Sequence, residues 1–243
     1  MAGTHQDQQL VTAGAPLEAA EAAVVMVHGR GATAQSIVRM AEEFHHHGVA
    51  YLAPQAARNT WYPQPFTAPV EYNEPGRTSG LQAIQDAIEV ATRGGSAAGE
   101  SGGDDSAAGD GDSTRGGDGK HGEAAGIPLE SVIVLGFSQG ACLASEFVAR
   151  NPKRYGGLVA LSGGLIGEAI DPEDYEGDLE GTPVFFGCSD VDPHIPAERV
   201  HASADVLDRL EGDVTTRLYE GMGHGVNQDE IEFVSGMVAD VLE

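Results

Sequence analysis

One short block constrains the fold of this chain more than any other. Val132-Ile133-Val134-Leu135 is a continuous apolar run, Gly136-Phe137-Ser138-Gln139-Gly140 follows it, and the apolar-periodic stretch Ala141 to Ala149 comes next. The run has the character of a strand buried on both faces, as in a parallel sheet. The stretch after it has the spacing of a helix. A serine at so tight a strand-to-helix turn is forced into a strained conformation. Its hydroxyl stands above the sheet, and the next backbone N–H points at the same spot. The flanking glycines let the chain turn without side-chain clashes. In a chain with 34 glycines the spacing alone is weak, and the strand before and helix after give it weight.

The rest of the chain alternates in the same way. Strands are expected near Val24, Val49, Val132, Leu158, Val184 and Val214, with helices between them and an antiparallel edge strand near Gln9 to Thr12. That alternation implies an α/β fold, a mainly parallel sheet of about six to seven strands with helices on both faces.

A serine hydroxyl is a poor nucleophile at neutral pH. It needs a base to take its proton and an acid to orient the base. In α/β-hydrolases these follow the serine in the order acid, then His. Downstream of Ser138 stand only His194, His201 and His224. His224 lies in the Gly-rich loop Gly221-Met222-Gly223-His224-Gly225, between the strand Val214 to Tyr219 and the amphipathic helix Val226 to Leu242. That is the carboxyl edge of a sheet, where ligands bind in such folds. His201 falls inside the helical stretch Ala197 to Leu210, and His194 in a Pro-flanked loop that could touch the site. The acid is expected after the strand Thr182 to Cys188, where either Asp190 or Asp192 could reach His224. An oxyanion needs two N–H donors. Val24 to Val27 ends in His28-Gly29-Arg30-Gly31, so the backbone amides of Arg30 and Gln139 are the candidates. The His28 side chain precedes the serine, against the usual order, and is expected to be structural.

Four blocks, in order, resemble the phospholipase/carboxylesterase family of α/β-hydrolases, which includes the acyl-protein thioesterases. Val27-His28-Gly29-Arg30-Gly31 is similar to its oxyanion loop, and Ala53-Pro54-Gln55-Ala56 with Trp61-Tyr62 to a second segment. Gly136 to Ala141 is similar to the nucleophile block, and Tyr219 to His224 to the His block. The resemblance implies an α/β-hydrolase fold and hydrolysis of a small-molecule carboxylic ester, or of an acyl thioester, by Ser138, Asp192 and His224, with no cofactor. Counting forward from Gly187 in the acid block favours Asp190, whereas counting back from Pro196 favours Asp192. The run Asp192-Pro193-His194-Ile195-Pro196 fits the family better, so Asp192 is chosen. Where the family often has an Asp after Trp-Tyr, this chain has Pro63. Trp61, Tyr62 and Phe66, on the long loop after the Val49 strand, are expected to line the acyl or alcohol pocket. A receptor that keeps the fold without turnover is the competing class.

The length suits a single domain over residues 1–243. The formal net charge is −25, from 38 acidic and 13 basic residues, and only Lys120 and Lys153 among the basic residues are lysines. A surface so acidic repels itself at low salt and is tolerated where salt screens it, which suggests a high-salt cytoplasm. It argues against nucleic acid and against stable association with anionic membranes. The amino terminus has no signal pattern and no stretch is long enough to span a bilayer, so the expected location is cytoplasmic, as a monomer or homodimer. Cys142 and Cys188 fit small packing residues rather than a disulfide. His45-His46-His47 closes the helical stretch Gln35 to Phe44, where His suits the helix dipole, so no metal site is expected. Gly94 to Gly126 contains no Val, Leu, Ile, Met, Phe, Tyr or Trp. Such a segment buries too little apolar surface to offset its ordering entropy, and is expected to be a disordered acidic insertion.

Overall fold

The computed structural model describes residues 3–93 and 126–243. The expected 94–126 insertion lies outside the described residues except for Gly126.

Among the described residues, seven strands form one sheet. They are β1 (Leu10–Gly14), β2 (Ala22–Val27), β3 (Val49–Pro54), β4 (Val132–Phe137), β5 (Gly157–Leu161), β6 (Pro183–Ser189) and β7 (Asp213–Tyr219). Their spatial order is β1-β3-β2-β4-β5-β6-β7. β1 runs antiparallel along β3, and every other pairing is parallel. The expected edge strand is therefore present, shifted slightly toward the carboxyl end from Gln9 to Thr12.

The α-helices among the described residues are α1 (Ala34–Met40), α2 (Gly76–Thr92), α3 (Gln139–Arg150), α4 (Ala197–Arg209) and α5 (Gln228–Asp240). They cover both faces because each central strand is apolar on both. In β2, Ala23, Val25 and Val27 face the core shared with α2, α3 and α4, while Ala22, Val24 and Met26 face the core shared with α1 and α5. This two-sided burial is why the strands lack the apolar–polar alternation of a half-exposed sheet. α1 stops at Met40 and tightens into a 3-10 turn through Phe44, so the His45-His46-His47 run follows that turn rather than an α-helix. Both α1 and α5 start with capping boxes, Thr33 with Ser36 and Asn227 with Glu230.

The strand order positions the site. From β2 the chain moves outward to β3 and then returns to place β4 on the other side of β2. The carboxyl ends of β2 and β4 therefore flank the switch point, where a crevice opens in sheets of this kind. The loop holding Arg30 leaves β2 there, and Ser138 leaves β4.

Candidate active site

Ser138 sits at φ 56, ψ −122, a strained conformation for a residue with a side chain. Such strain costs of order 1–3 kcal/mol and persists only where the surroundings fix it. Here the Ser138 amide donates to the Leu161 carbonyl at 2.9 Å, and its carbonyl accepts from the Cys142 amide at 3.0 Å. The two glycines of the elbow serve close approach. A Cβ on Gly140 would lie 2.0 Å from the Val27 carbonyl oxygen, and one on Gly136 would lie 2.3 Å from the Gly140 oxygen. α3 can therefore start tight against the end of β2.

Three strand ends converge on the serine hydroxyl. His224, in the loop after β7, stands with Nε2 2.9 Å from Ser138 Oγ. Asp192, in the loop after β6, accepts from His224 Nδ1 through Oδ2 at 2.7 Å. The Asp192 side chain is fully buried. Its Oδ1 accepts from the amides of His194 (2.8 Å) and Ile195 (3.1 Å), and the Cys188 thiol approaches Oδ2 at 3.8 Å. Burial pushes the Asp192 pKa up, but the hydrogen bonds from His224, His194 and Ile195 outweigh it and hold the carboxyl below its ordinary value. Burial also pushes the Cys188 thiol up to about 12, with Asp192 adding to it, so it stays a neutral donor.

Asp190 takes no part in this line. It is exposed, and its Oδ1 accepts from the Gly221 amide at 2.8 Å, which braces the His224 loop from outside. His201 is exposed on α4. His28 is fully buried, donates Nδ1–H to the Gly29 carbonyl at 2.8 Å, and accepts the Ala56 amide at Nε2 at 3.1 Å. Both ring nitrogens are thus committed to backbone, and the ring pins the loop after β3. Burial pushes its pKa down, which matches a neutral ring accepting at one nitrogen.

The Arg30 and Gln139 amides have no hydrogen-bond partner among the described residues. A Cβ on Gly29, next to Arg30, would lie 3.3 Å from Ser138 Cβ, so the β2 loop runs against the elbow.

Above the serine opens a cleft of about 590 Å³. Tyr62 and Phe66 line it, as do Pro63, Pro65, Cys142 and Ile195. Trp61 does not, which corrects the expectation for that residue. Its ring is fully buried between His5 (5.2 Å) and His28 (5.0 Å), and its Nε1–H donates to the His28 carbonyl at 2.8 Å. The largest side chain of the loop covers the end of β2, where the indole N–H finds an acceptor, and so roofs the core rather than the cleft. Tyr62 is only marginally exposed, and burial raises its hydroxyl pKa well above the ordinary value.

Two contributors escaped sequence reasoning. Cys142, read as packing, also lines the cleft. It stands four residues after Ser138 on a helix, so helical spacing alone could have put it on that face. His5 is buried beneath the Ala57–Trp61 turn, accepting the Ala57 amide at Nδ1 (3.0 Å) and donating Nε2–H to the Trp61 carbonyl (2.9 Å). Nothing in its local sequence signals this. Among the described residues no group of three or more His, Cys, Asp or Glu is arranged to hold a metal ion. Among them, too, no helix is long and apolar enough to cross a membrane.

The sequence profile of the phospholipase/carboxylesterase family matches residues 120–242, just over half of the chain. The crystal structure of a phospholipase/carboxylesterase from Dyadobacter fermentans DSM 18053 superposes with a TM-score of 0.80 at 35% identity, covering 98% of this chain and 100% of that one. The chain belongs to the phospholipase/carboxylesterase family. Acyl-protein thioesterase 1 of Saccharomyces cerevisiae is 33% identical over 119 residues, 46% of this chain and 51% of that protein. The chain thus spans about half the length of the curated relatives it matches. The Bacillus cereus carboxylesterase, at 14% identity and a TM-score of 0.66, shares the fold of the family.

Proposed function

We propose that this chain is a serine hydrolase that cleaves carboxylic esters through an acyl-enzyme. The observation that carries the reading is the unbroken line from Asp192 Oδ2 through His224 to Ser138 Oγ, at 2.7 and 2.9 Å, at the floor of an open cleft. Ser138 Oγ attacks the ester carbonyl while His224 Nε2 takes its proton. Asp192 keeps Nδ1 protonated, so that Nε2 is free to accept, and stabilises the imidazolium that forms. The amides of Arg30 and Gln139, without a hydrogen-bond partner among the described residues, receive the carbonyl oxygen as it becomes negative. His224 then gives its proton to the leaving alcohol, and the acyl group stays on Ser138. Water repeats the sequence, releasing the acid and restoring the hydroxyl. Apart from the hydrolytic water, these steps draw their base, acid and N–H donors from a single domain.

The acyl-protein thioesterase relatives support a second substrate class, acyl thioesters on the same three residues. A thiolate is a better leaving group than an alkoxide, and nothing in the line of residues discriminates against it. The charge of −25 supports work at high salt.

The test is hydrolysis of short p-nitrophenyl esters and matched thioesters in molar salt, wild type beside Ser138→Ala. Loss of turnover by about 10³-fold or more in the variant, with loss of fluorophosphonate labelling, is expected. Near-normal activity in Ser138→Ala refutes the mechanism. The ester-to-thioester ratio of kcat/KM decides between the two substrate classes.

A further inference from the structure

The reaction above uses the backbone amides of Arg30 and Gln139. Their side chains are committed elsewhere, and both to one segment. The Arg30 guanidinium donates to the carbonyls of Tyr62 (2.8 Å), Pro63 (3.1 Å) and Gln64 (2.9 Å). The Gln139 side chain accepts the Trp61 amide at 3.0 Å and donates to the Tyr62 carbonyl at 2.8 Å. One carbonyl, that of Tyr62, is thus gripped from both sides. The same segment, through Tyr62, Pro63, Pro65 and Phe66, forms one wall of the cleft.

We propose that the Arg30 and Gln139 side chains are positioning residues that join this wall and the two oxyanion amides into one rigid unit. The fit of a substrate against the wall then sets turnover as well as binding. The proposal rests on the acyl-enzyme reading and goes beyond it. The turn carrying the Arg30 amide packs against the elbow at Gly29 but is open on its Gly31 side. Gly31, at φ 77, has nothing within 4 Å of where a Cβ would stand, and its amide is tied to the Asn59 carbonyl at 2.7 Å. The Gly29 carbonyl accepts from the Ala32 amide (3.2 Å) and the His28 ring (2.8 Å), and what ties the turn to the wall is a planar guanidinium whose fixed fork meets three carbonyls at once. Gln139 is buried at the edge of the cleft, so its amide group keeps these partners with little competition from water. The wall is itself braced from behind, where Asn73 accepts the Gln64 amide at 2.8 Å and donates to the Pro65 carbonyl at 3.1 Å. A substrate group that displaces the wall pulls on the Tyr62 carbonyl, and through it on both amides.

The test uses Arg30→Met and Gln139→Met, which keep the backbone amides and remove the grip. Rates for p-nitrophenyl acetate, butyrate and hexanoate are measured per fluorophosphonate-titrated site in molar salt. Inhibition by an alkyl trifluoromethyl ketone, whose adduct with a serine carries the oxyanion, is measured beside them. A misplacement of about 1 Å costs about 10²-fold, so kcat is expected to fall about 10- to 100-fold with KM changed less than about threefold. The ketone inhibition constant is expected to rise by the same factor, and the double variant to lose less than the product of the two. Values of kcat per titrated site within about twofold of wild type, or a loss confined to KM, overturn the proposal. Should Arg30→Met fail to fold, Arg30→Lys keeps part of the grip. An intermediate kcat at unchanged KM then supports the proposal, and a wild-type kcat overturns it. Ser138→Ala in the same series separates the two ideas, because activity there refutes the acyl-enzyme reading itself. An inactive Ser138→Ala beside fully active Met variants refutes the clamp alone.

Discussion

Replacing Asp192 by Asn exchanges one carboxylate oxygen for NH2, and the hydrogen bonds around the carboxyl dictate where that NH2 goes. Oδ1 accepts two backbone amides, those of His194 and Ile195, so that position must remain an oxygen. The amide nitrogen of the variant side chain is then forced into the Oδ2 position, 2.7 Å from His224 Nδ1. An NH2 there donates, so Nδ1 must become the acceptor and the ring proton moves to Nε2. That nitrogen, 2.9 Å from Ser138 Oγ, can no longer accept the serine proton. Flipping the amide gives no escape, because it would aim NH2 at two N–H donors. In serine proteases the same tautomer error costs about 10⁴ in kcat, or about 5.4 kcal/mol in the barrier. A loss of that order is expected here for Asp192→Asn with p-nitrophenyl acetate, in a protein whose circular dichroism shows the fold retained. Asp190→Asn is the control. Its Oδ1 accepts one amide on an exposed loop, and a change below about tenfold is expected. More than about 10% residual activity in Asp192→Asn, or an equal loss in Asp190→Asn, refutes the tautomer argument.

Two further outcomes concern the fold that holds the site. Glu146, fully buried in α3, accepts from Arg77 at 2.5 Å, from Arg150, from the Tyr175 hydroxyl at 3.2 Å and from the Ile166 amide at 3.1 Å. Glu146→Ala strands buried donors and charge, so a loss of about 3–5 kcal/mol is expected. By calorimetry this is a fall of roughly 6–20 °C in Tm, and a shift under about 2 °C refutes the reading. Through its buried imidazoles and Asp192, the chain loses stability to acid in two stages. Burial lowers the folded pKa of His5 and His28 below the ordinary 6.5, so the unfolded state binds more protons and stability falls as pH drops through and below 6.5. The lowered carboxyl of Asp192 adds a second loss only below its unfolded pKa, near 3.8. Urea midpoints between about pH 7.5 and 5 measure the first stage, and His5→Gln is expected to flatten it. Glu230, pushed up to about 7 by burial, works in the opposite direction over that range, so the decisive comparison is between the two proteins, and a His5→Gln slope equal to that of wild type contradicts the burial of a neutral imidazole.

The two halves of the site differed in how far they could be read ahead. The elbow at Ser138 was legible because its strand, glycines and helix are contiguous, and each leaves its own periodicity. His224 was legible for the same reason, as a His in a Gly-rich loop between a β-branched strand and an amphipathic helix. The aromatic loop was not. Trp61 and Tyr62 are adjacent in the chain, yet one roofs the core and the other faces the cleft. Composition marks both as large and apolar, and says nothing about which way a loop turns.

The sequence by itself determined the alternation of strands and helices, the antiparallel edge, the elbow, and the chain order of Ser138, the Asp candidates Asp190 and Asp192, and His224. These depend on side-chain period and turn chemistry, which act over a few neighbouring residues. Only the tertiary structure decided that β2 and β4 lie side by side, which brings Arg30 to Ser138 across more than a hundred residues of chain. It alone separated Asp192 from Asp190 by contact, through two loop amides and an imidazole that meet at one carboxyl. It alone revealed His5 under the Trp61 turn and the double grip on the Tyr62 carbonyl. Those features are contacts between loops remote in sequence, and a loop leaves no periodic trace of the partner it will meet.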